Sequence, residues 1–193
     1  MKQYIEDMFD EAIKAHKEFA LDNAGIIEKI AKTIVECFEN GNKLLIFGNG
    51  GSAADAQHIA AEFASRFVME RPPLAAIALT TDTSLLTAVG NDYSFDEVFE
   101  KQVAALANPG DVVWGISTSG NSENVIRGLK RAIKCEAKTI GFAGRDGGKM
   151  PGLCDKILVV NHQSTARIQE IHIMSAHIIC GLVDEIMFGR FAG

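Results

Sequence analysis

The sequence has few cysteines, no excess of positive charge and no long uninterrupted apolar run. Its four cysteines (Cys37, Cys135, Cys154 and Cys180) form no C-x-x-C pair in 193 residues. This spacing argues against a disulfide framework. We therefore expect reduced, mostly buried thiols and a cytoplasmic protein. The formal net charge of −6 argues against nucleic acid or an anionic membrane surface as the main partner.

Membrane insertion and secretion are also disfavoured by what the sequence lacks. Residues 1–7 contain no apolar stretch of the kind found in signal peptides. The longest apolar helix candidate, near Ile168–Phe188, is interrupted by five polar side chains: Glu170, His172, His177, Asp184 and Glu185. We therefore predict no membrane partner. The composition, 47% hydrophobic and 23% charged, is that of an ordinary globular chain long enough for one domain with a substantial core.

The periodicity of apolar residues predicts two N-terminal helices followed by alternating strands and helices. The first two helices cover about 3–21 and 25–39. Apolar runs predict five strands, at 43–47, 74–79, 111–116, 138–142 and 156–160. Helices are predicted at about 52–68, 84–89, 96–106, 122–133 and 164–188.

This alternation is typical of an α/β fold in which helices cover both faces of a parallel sheet. We predict a three-layer αβα sandwich with a five-stranded parallel sheet. Residues 1–193 form a single domain, with N-terminal helices over 1–40 and an α/β core over 41–193. The N-terminal helices are candidates for packing between subunits. Ligands in such folds bind at the carboxyl ends of the strands.

A glycine-rich loop, Gly48-Asn49-Gly50-Gly51-Ser52, follows the first predicted strand. We expect Ser52 to cap the next helix, with Asp55 completing a capping box. A helix N-terminus with so few side chains is a natural anion site. The loop also fits the dinucleotide pattern G-x-G-x-x-A. Asp82 lies too far beyond the second strand to be the usual acidic partner, so a nicotinamide enzyme is disfavoured.

A second polar loop, Ser117-Thr118-Ser119-Gly120-Asn121-Ser122, follows the third predicted strand. Its hydroxyls, its backbone N–H groups and the helix start behind it suit a phosphate without any Lys or Arg. The alternative is a polar turn that ends in a helix cap at Asn121 or Ser122.

Two regions carry groups that could move protons or bind a metal. His58 and Glu62, at i and i+4, share one helical face and suit a metal site or an acid–base pair. The alternative is a surface hydrogen bond between them. In the last helix, Gln169 and His177 lie about 12 Å apart along the axis. His172 competes with His177, and periodicity does not choose between them.

Six motifs, taken in order, resemble those of the phosphoheptose isomerases, which belong to the sugar isomerase (SIS) domain family. They cover the chain from about Lys43 to the last helix. They are Gly48–Ser52, Gln57-His58 with Glu62, Gly90-Asn91-Asp92, Gly115–Ser122, Asp146–Met150 and Arg167–His172.

The resemblance implies an enzyme that interconverts D-sedoheptulose 7-phosphate and D-glycero-D-manno-heptose 7-phosphate, the first step of bacterial nucleotide-activated heptose biosynthesis. It implies a homotetramer with sites at subunit interfaces and one zinc ion per subunit. The family's metal ligands fall on His58, Glu62, Gln169 and His177, and its proton carriers fall on Glu62 and His177. We assign substrate binding to the positions of the family's substrate contacts and to Ser52 at the helix start: Asn49, Gly50, Gly51, Ser52, Glu62, Asn91, Asp92, Ser117, Thr118, Ser119, Ser122 and Gln169.

Two alternatives to this activity remain. A non-enzymatic sister branch of the family forms a tetramer that binds the bacterial replication initiator protein, and it lacks the equivalents of Glu62 and His177. An isomerase of another sugar phosphate would share the same motifs, because they specify phosphate and enediol chemistry better than substrate length. One departure from many of the isomerases is Thr165-Ala166, where they carry an acidic residue beside Arg167.

Overall fold

The computed structural model describes residues 1–190. The strands are β1 (Leu44–Gly48), β2 (Ala76–Ala78), β3 (Val112–Ser117), β4 (Lys138–Gly144) and β5 (Lys156–Val160). The helices are α1 (Lys2–Glu39), α2 (Gly51–Ala64), α3 (Thr83–Asp92), α4 (Val98–Leu106), α5 (Glu123–Lys134) and α6 (Thr165–Met187). Short 3₁₀ turns lie at Phe95–Glu97 and Pro151–Leu153.

The five strands form one parallel sheet in the order β2-β1-β3-β4-β5. The chain leaves β1 toward β2 on one side and leaves β3 toward β4 on the other. The carboxyl ends of β1 and β3 therefore form the switch point, where open α/β sheets bind ligands. Gly48 pairs with Ile116 at this end, so the glycine-rich and serine-rich loops emerge side by side.

Two apolar cores, one on each face of the sheet, make the molecule three-layered. Leu44 and Ile46 point into a core shared with α1, α2 and α6. Leu45 and Phe47 point into the other, which α3, α4 and α5 cover. Strands apolar on both faces are what a parallel sheet covered on both sides requires. The predicted α/β sandwich is confirmed.

The N-terminal region is one helix of 38 residues, so the prediction of two helices was wrong. Gly25 lies within it with no atom near its missing side chain. A mid-helix glycine costs only about 1 kcal/mol. Packing of Phe19, Ile27 and Ile30, all buried in the core shared with α6, outweighs that cost. The helix therefore continues through the glycine.

Three other bounds differ from the predictions. Helix α2 ends at Ala64 and not near Val68, because Arg71 donates hydrogen bonds to the carbonyls of Glu62, Phe63 and Ser65. Strand β2 has three residues, and α3 runs through Gly90 to Asp92.

Among residues 1–190, no helix combines the length and apolarity needed to cross a membrane. All four cysteines are free thiols, two of them fully buried.

Candidate active site

The glycine-rich loop starts α2 one residue earlier than predicted. Gly50 is the N-cap residue, with φ at 56°, and no side chain caps the helix. A side chain is strained at that φ, so glycine is needed there. The predicted capping box of Ser52 and Asp55 is therefore wrong: Ser52 lies inside the helix and is buried. The first backbone N–H groups of α2 are left without a side-chain partner and face the switch point.

Asp55 lies inside α2, caps no helix and is half-buried. Its Oδ2 is buried with no hydrogen-bond partner. Burial raises the pKa of the Asp55 carboxyl, and the nearby charge of His58 acts in the opposite direction.

The serine-rich loop is organised by hydroxyl–hydroxyl contacts. Ser117 Oγ lies 2.9 Å from Ser122 Oγ and 3.5 Å from Ser119 Oγ. Ser122 is the N-cap residue of α5, but its side chain caps no backbone N–H. The hydroxyl groups of Ser117 and Ser122 thus sit together at the start of α5 and next to the glycine-rich loop. Thr118, between Ser117 and Ser119, is half-buried.

His58, Glu62 and His177 come together between α2 and α6. His58 Nε2 lies 2.9 Å from His177 Nε2, so the protonated nitrogen of one imidazole donates a hydrogen bond to the unprotonated nitrogen of the other. The same His58 atom lies 3.3 Å from Glu62 Oε1. Phe67 stacks on the His177 ring at a centroid distance of 5.5 Å. The side chain of Glu62 is 20% exposed and that of His58 is 48% exposed, so the cluster opens to the surface.

The donor chemistry of this cluster fits a zinc ion. Zinc bonds of about 2.0–2.1 Å in a tetrahedron place neighbouring donors roughly 3.3 Å apart, close to the 2.9 and 3.3 Å seen here. Within residues 1–190, no three His, Cys, Asp or Glu side chains already surround a common metal position. The donors would therefore have to turn from their hydrogen-bonded positions toward a shared ion.

Gln169 lies at the other end of the contact between α2 and α6. Its side-chain amide packs against Gly51, where a Cβ atom would collide with it. Helices α2 and α6 thus run side by side, with Gln169 beside the glycine-rich loop and His177 beside His58. Glycine at position 51 is what lets Gln169 reach the start of α2.

Asn91 and Asp92 occupy the last turn of α3 and are exposed. Asn91 Nδ2 donates to Asp92 Oδ1 at 2.8 Å. Within the described part of the chain, no hydrogen bond joins either residue to the two loops or to the histidine cluster. The structure thus brings together the residues of α2, α6 and both loops, but not this pair.

His172 is structural. It is 1% exposed, and its Nε2–H donates to the carbonyl of Ala143 in β4 at 3.0 Å. Burial lowers the pKa of His172 to about 4, against a smaller opposite effect of the Ala143 bond. Of the two histidines that periodicity left open, His177 is therefore the one that faces His58.

The lowered pKa of His172 predicts a pH-dependent free energy of unfolding. Between pH 6.5 and 4 the unfolded chain binds a proton at His172 that the folded chain does not. The free energy of unfolding therefore falls as the pH drops through this window, by up to about 3 kcal/mol, and levels off below it. Unfolding measured at pH 7 and pH 4.5 should show a smaller loss in His172→Gln, which keeps a donor for Ala143 but does not titrate. Equal losses in both proteins would contradict the assignment.

Two residues at the site carried no recognisable signal in the sequence. Asn124, in the first turn of α5, forms a pair of hydrogen bonds with Asn49. Arg71 binds the end of α2 and also Asp184 of α6. The Arg71-Pro72-Pro73 sequence indicates only a helix stop. Asn124 lies 75 positions from its partner, so no local pattern could reveal the contact.

The comparison with known proteins agrees with this geometry. The SIS domain family model matches residues 7–144. A phosphoheptose isomerase of Aquifex aeolicus is 53% identical over 190 residues, covering 98% of this chain and 100% of its own. One of Nitratidesulfovibrio vulgaris is 54% identical over 178 residues, covering 92% and 86%.

The solved structure of a phosphoheptose isomerase from Neisseria gonorrhoeae superposes with a TM-score of 0.90. It is 48% identical, and the match covers 95% of this chain and 98% of that one. Sequence and fold therefore agree along almost the whole chain. This chain belongs to the SIS domain family and, within it, to the phosphoheptose isomerases.

Proposed function

We propose that this chain is a cytoplasmic, zinc-dependent homotetrameric enzyme that interconverts D-sedoheptulose 7-phosphate and D-glycero-D-manno-heptose 7-phosphate. The observation that carries the proposal is the contact of His58 with both Glu62 and His177 in a chain about half identical to phosphoheptose isomerases. The two helices that form this cluster also meet at the glycine-rich loop, where Gln169 packs against Gly51.

The reaction moves a proton between adjacent carbons through an enediol. In the forward direction, the Glu62 carboxylate takes the proton from C1 of the ketose and returns it to C2. His177 gives a proton to the C2 carbonyl oxygen, and the C1 hydroxyl returns a proton to His177 as the new carbonyl forms. His58 and Phe67 hold the His177 ring from two sides, which keeps its reacting nitrogen in a fixed direction.

The two loops hold the rest of the substrate. The unpartnered N–H groups at the start of α2 and the hydroxyls near the start of α5 suit an anionic group. Fixing that remote group keeps the reacting carbons in register with Glu62. The residues that we assign to substrate binding are Asn49, Gly50, Gly51, Ser52, Glu62, Asn91, Asp92, Ser117, Thr118, Ser119, Ser122 and Gln169. Asn91 and Asp92 would act across a subunit interface, since neither contacts the cluster within its own chain.

The zinc ion would be held by His58, Glu62, Gln169 and His177. When bound, it would polarise the carbonyl and hydroxyl oxygens of the substrate. Gln169 lies beside Gly51, so its amide would have to turn along α6 toward His58. Glu62 cannot both donate its electron pair to the metal and accept a proton with the same oxygen. Its two carboxylate oxygens allow the roles to be divided.

The homotetramer is supported by apolar side chains that this chain leaves exposed. On α1, Ile5, Phe9 and Ile13 are 55, 66 and 63% exposed and recur every four residues, which places them on one face of the helix. Val68, beside the Phe67 that stacks on His177, is 75% exposed. Contiguous exposed apolar side chains are typical of protein interfaces. Subunit packing over Val68 would place the histidine cluster at an interface.

One experiment on the purified 193-residue chain tests these proposals together. Sedoheptulose 7-phosphate is supplied and the aldose product followed, while bound zinc per subunit and the mass in solution are measured on the same sample. We expect conversion, close to one zinc per subunit and the mass of four chains. Chelation should abolish turnover, and added zinc should restore it.

Each readout can fail separately. Conversion that survives complete zinc removal would refute the metal, and an active monomer would refute the tetramer. No conversion by a folded, zinc-loaded tetramer would overturn the substrate, and fructose 6-phosphate and arabinose 5-phosphate would then be tried. Binding of the replication initiator protein without any turnover would instead favour the non-enzymatic branch.

A further inference from the structure

Asn49 and Asn124 join the two loops through a closed pair of amide hydrogen bonds. Asn49 Nδ2 donates to Asn124 Oδ1 at 2.9 Å, and Asn124 Nδ2 donates to Asn49 Oδ1 at 2.9 Å. Asn124 is 3% exposed and Asn49 is half-buried. Two amides bonded in this way fix each other's plane as well as their separation.

The orientation of both amides follows from one backbone group. Val125 N–H donates to Asn124 Oδ1 at 2.9 Å, and a backbone N–H can only donate. The oxygen of Asn124 therefore has to be on that side, which places its NH₂ against the oxygen of Asn49. Asn49 keeps one N–H that no group in residues 1–190 accepts, so the free N–H points away from Asn124.

The pair lies just beyond the last hydrogen bonds between β1 and β3, the strands that carry the two loops. The hydrogen-bonded register of β1 and β3 ends near Gly48 and Ile116. Beyond it, the Asn49–Asn124 pair is the next link between the glycine-rich loop and the start of α5. A shift of Asn49 would move its free N–H relative to the hydroxyls of Ser117 and Ser122.

We propose that Asn124 is a positioning residue, which acts on the reaction only by holding the side-chain amide of Asn49 toward the substrate. The inference rests on the proposed function, because it takes Asn49 as a substrate contact. Asn124 itself is buried under Asn49 and needs no contact with substrate. A purely structural Asn124 would affect stability but would not act through Asn49.

A double-mutant cycle separates these roles. The four proteins are the parent, Asn49→Ala, Asn124→Ala and the double variant, all zinc-loaded, with kcat and KM measured for sedoheptulose 7-phosphate. Loss of one neutral hydrogen bond should lower kcat/KM roughly five- to tenfold in each single variant. In the Asn49→Ala background, Asn124→Ala should lower kcat/KM by less than about twofold, because the Asn49 amide through which Asn124 acts is already absent.

Gln102→Ala is the matched control. Gln102 is also a 3% exposed carboxamide, and its Nε2 donates to the carbonyls of Leu79 and Val98 away from the loops. Its removal should lower the melting temperature and leave kcat/KM within about twofold of the parent. If Asn124→Ala does not fold, Asn124→Asp takes its place in the cycle, because it keeps the size and the acceptor for Val125 but loses the donor to Asn49.

The outcomes are distinct. If the parent is active and the position-124 substitution lowers kcat/KM by the same factor with Asn49 present as with Asn49→Ala, the inference is overturned and the proposed function stands. An Asn49→Ala variant with parental kcat/KM has the same consequence. A parent that does not convert the substrate overturns the proposed function, and the positioning role falls with it. Non-additive loss with normal Gln102→Ala kinetics supports the role assigned to Asn124.

Discussion

Glu62→Gln is expected to lower kcat by about 10²–10⁴-fold, the usual contribution of a positioned general base. The amide has nearly the same shape as the carboxylate and can still lie beside His58, but it cannot take a proton from carbon. His177→Gln should cause a loss of similar size by removing the acid. Glu100→Gln is the control, because Glu100 lies on α4, which covers the opposite face of the sheet.

Deuterium exchange distinguishes the role of base from that of metal ligand. In D₂O the parent should place solvent deuterium at C2 of the aldose, the carbon to which Glu62 returns the proton. Glu62→Gln should show none, even in samples whose measured zinc content equals that of the parent. His177→Gln should retain some exchange, because Glu62 is intact. A zinc-loaded Glu62→Gln enzyme with near-parental turnover would contradict the assignment of Glu62 as base.

The fold was predictable because its signals are local. Each strand is a short apolar run bounded by turn residues, and strands apolar on both faces follow directly from a parallel sheet with two cores. The errors also have local causes. A second helix was predicted to begin at Gly25, but a glycine is tolerated inside α1. The capping box failed because Gly50 adopts a positive φ and starts α2 before Ser52.

The site was predictable only in part. His58 and Glu62 share a face by spacing alone, but their contact with His177 spans 119 positions and depends on how α2 packs along α6. Periodicity could not separate His172 from His177, since both lie on the partly apolar last helix. Burial separates them, because the His172 side chain is in the core and the His177 side chain lies between α2 and α6, against His58. Asn124 and Arg71 act through pairings that only the folded chain creates.

The buried ion pair of Arg71 and Asp184 ties the end of α2 to α6, the two helices that carry the proton-transfer groups. Arg71 Nε donates to Asp184 Oδ1 at 2.8 Å, and the two side chains are 1 and 4% exposed. The remaining Arg71 donors bind the carbonyl of Pro72 and three carbonyls at the end of α2, including that of Glu62 at 2.9 Å. This one side chain therefore neutralises Asp184 and fixes the backbone of the proposed base.

Arg71→Met should destabilise the protein by about 3–5 kcal/mol, because it leaves the Asp184 carboxylate buried without a counter-charge. At 2–4 °C per kcal/mol for a chain of this size, the melting temperature should fall by roughly 6–20 °C at fixed protein concentration. Arg127→Met is the matched control. Arg127 is 37% exposed and pairs with Glu97 and Glu123, so its loss should cost no more than about 1 kcal/mol.

Adding Asp184→Leu to Arg71→Met should recover only part of this loss. The second change removes the stranded charge, but the carbonyls of Glu62 and Phe63 still lack the donors that Arg71 supplied. Full recovery in the double variant would show that the carbonyl contacts contribute nothing. Because those contacts hold the turn that carries Glu62, kcat of the double variant should stay below that of the parent at temperatures where both are fully folded. A double variant with parental kcat would separate the ion pair from catalysis and leave it a stabilising contact between α2 and α6.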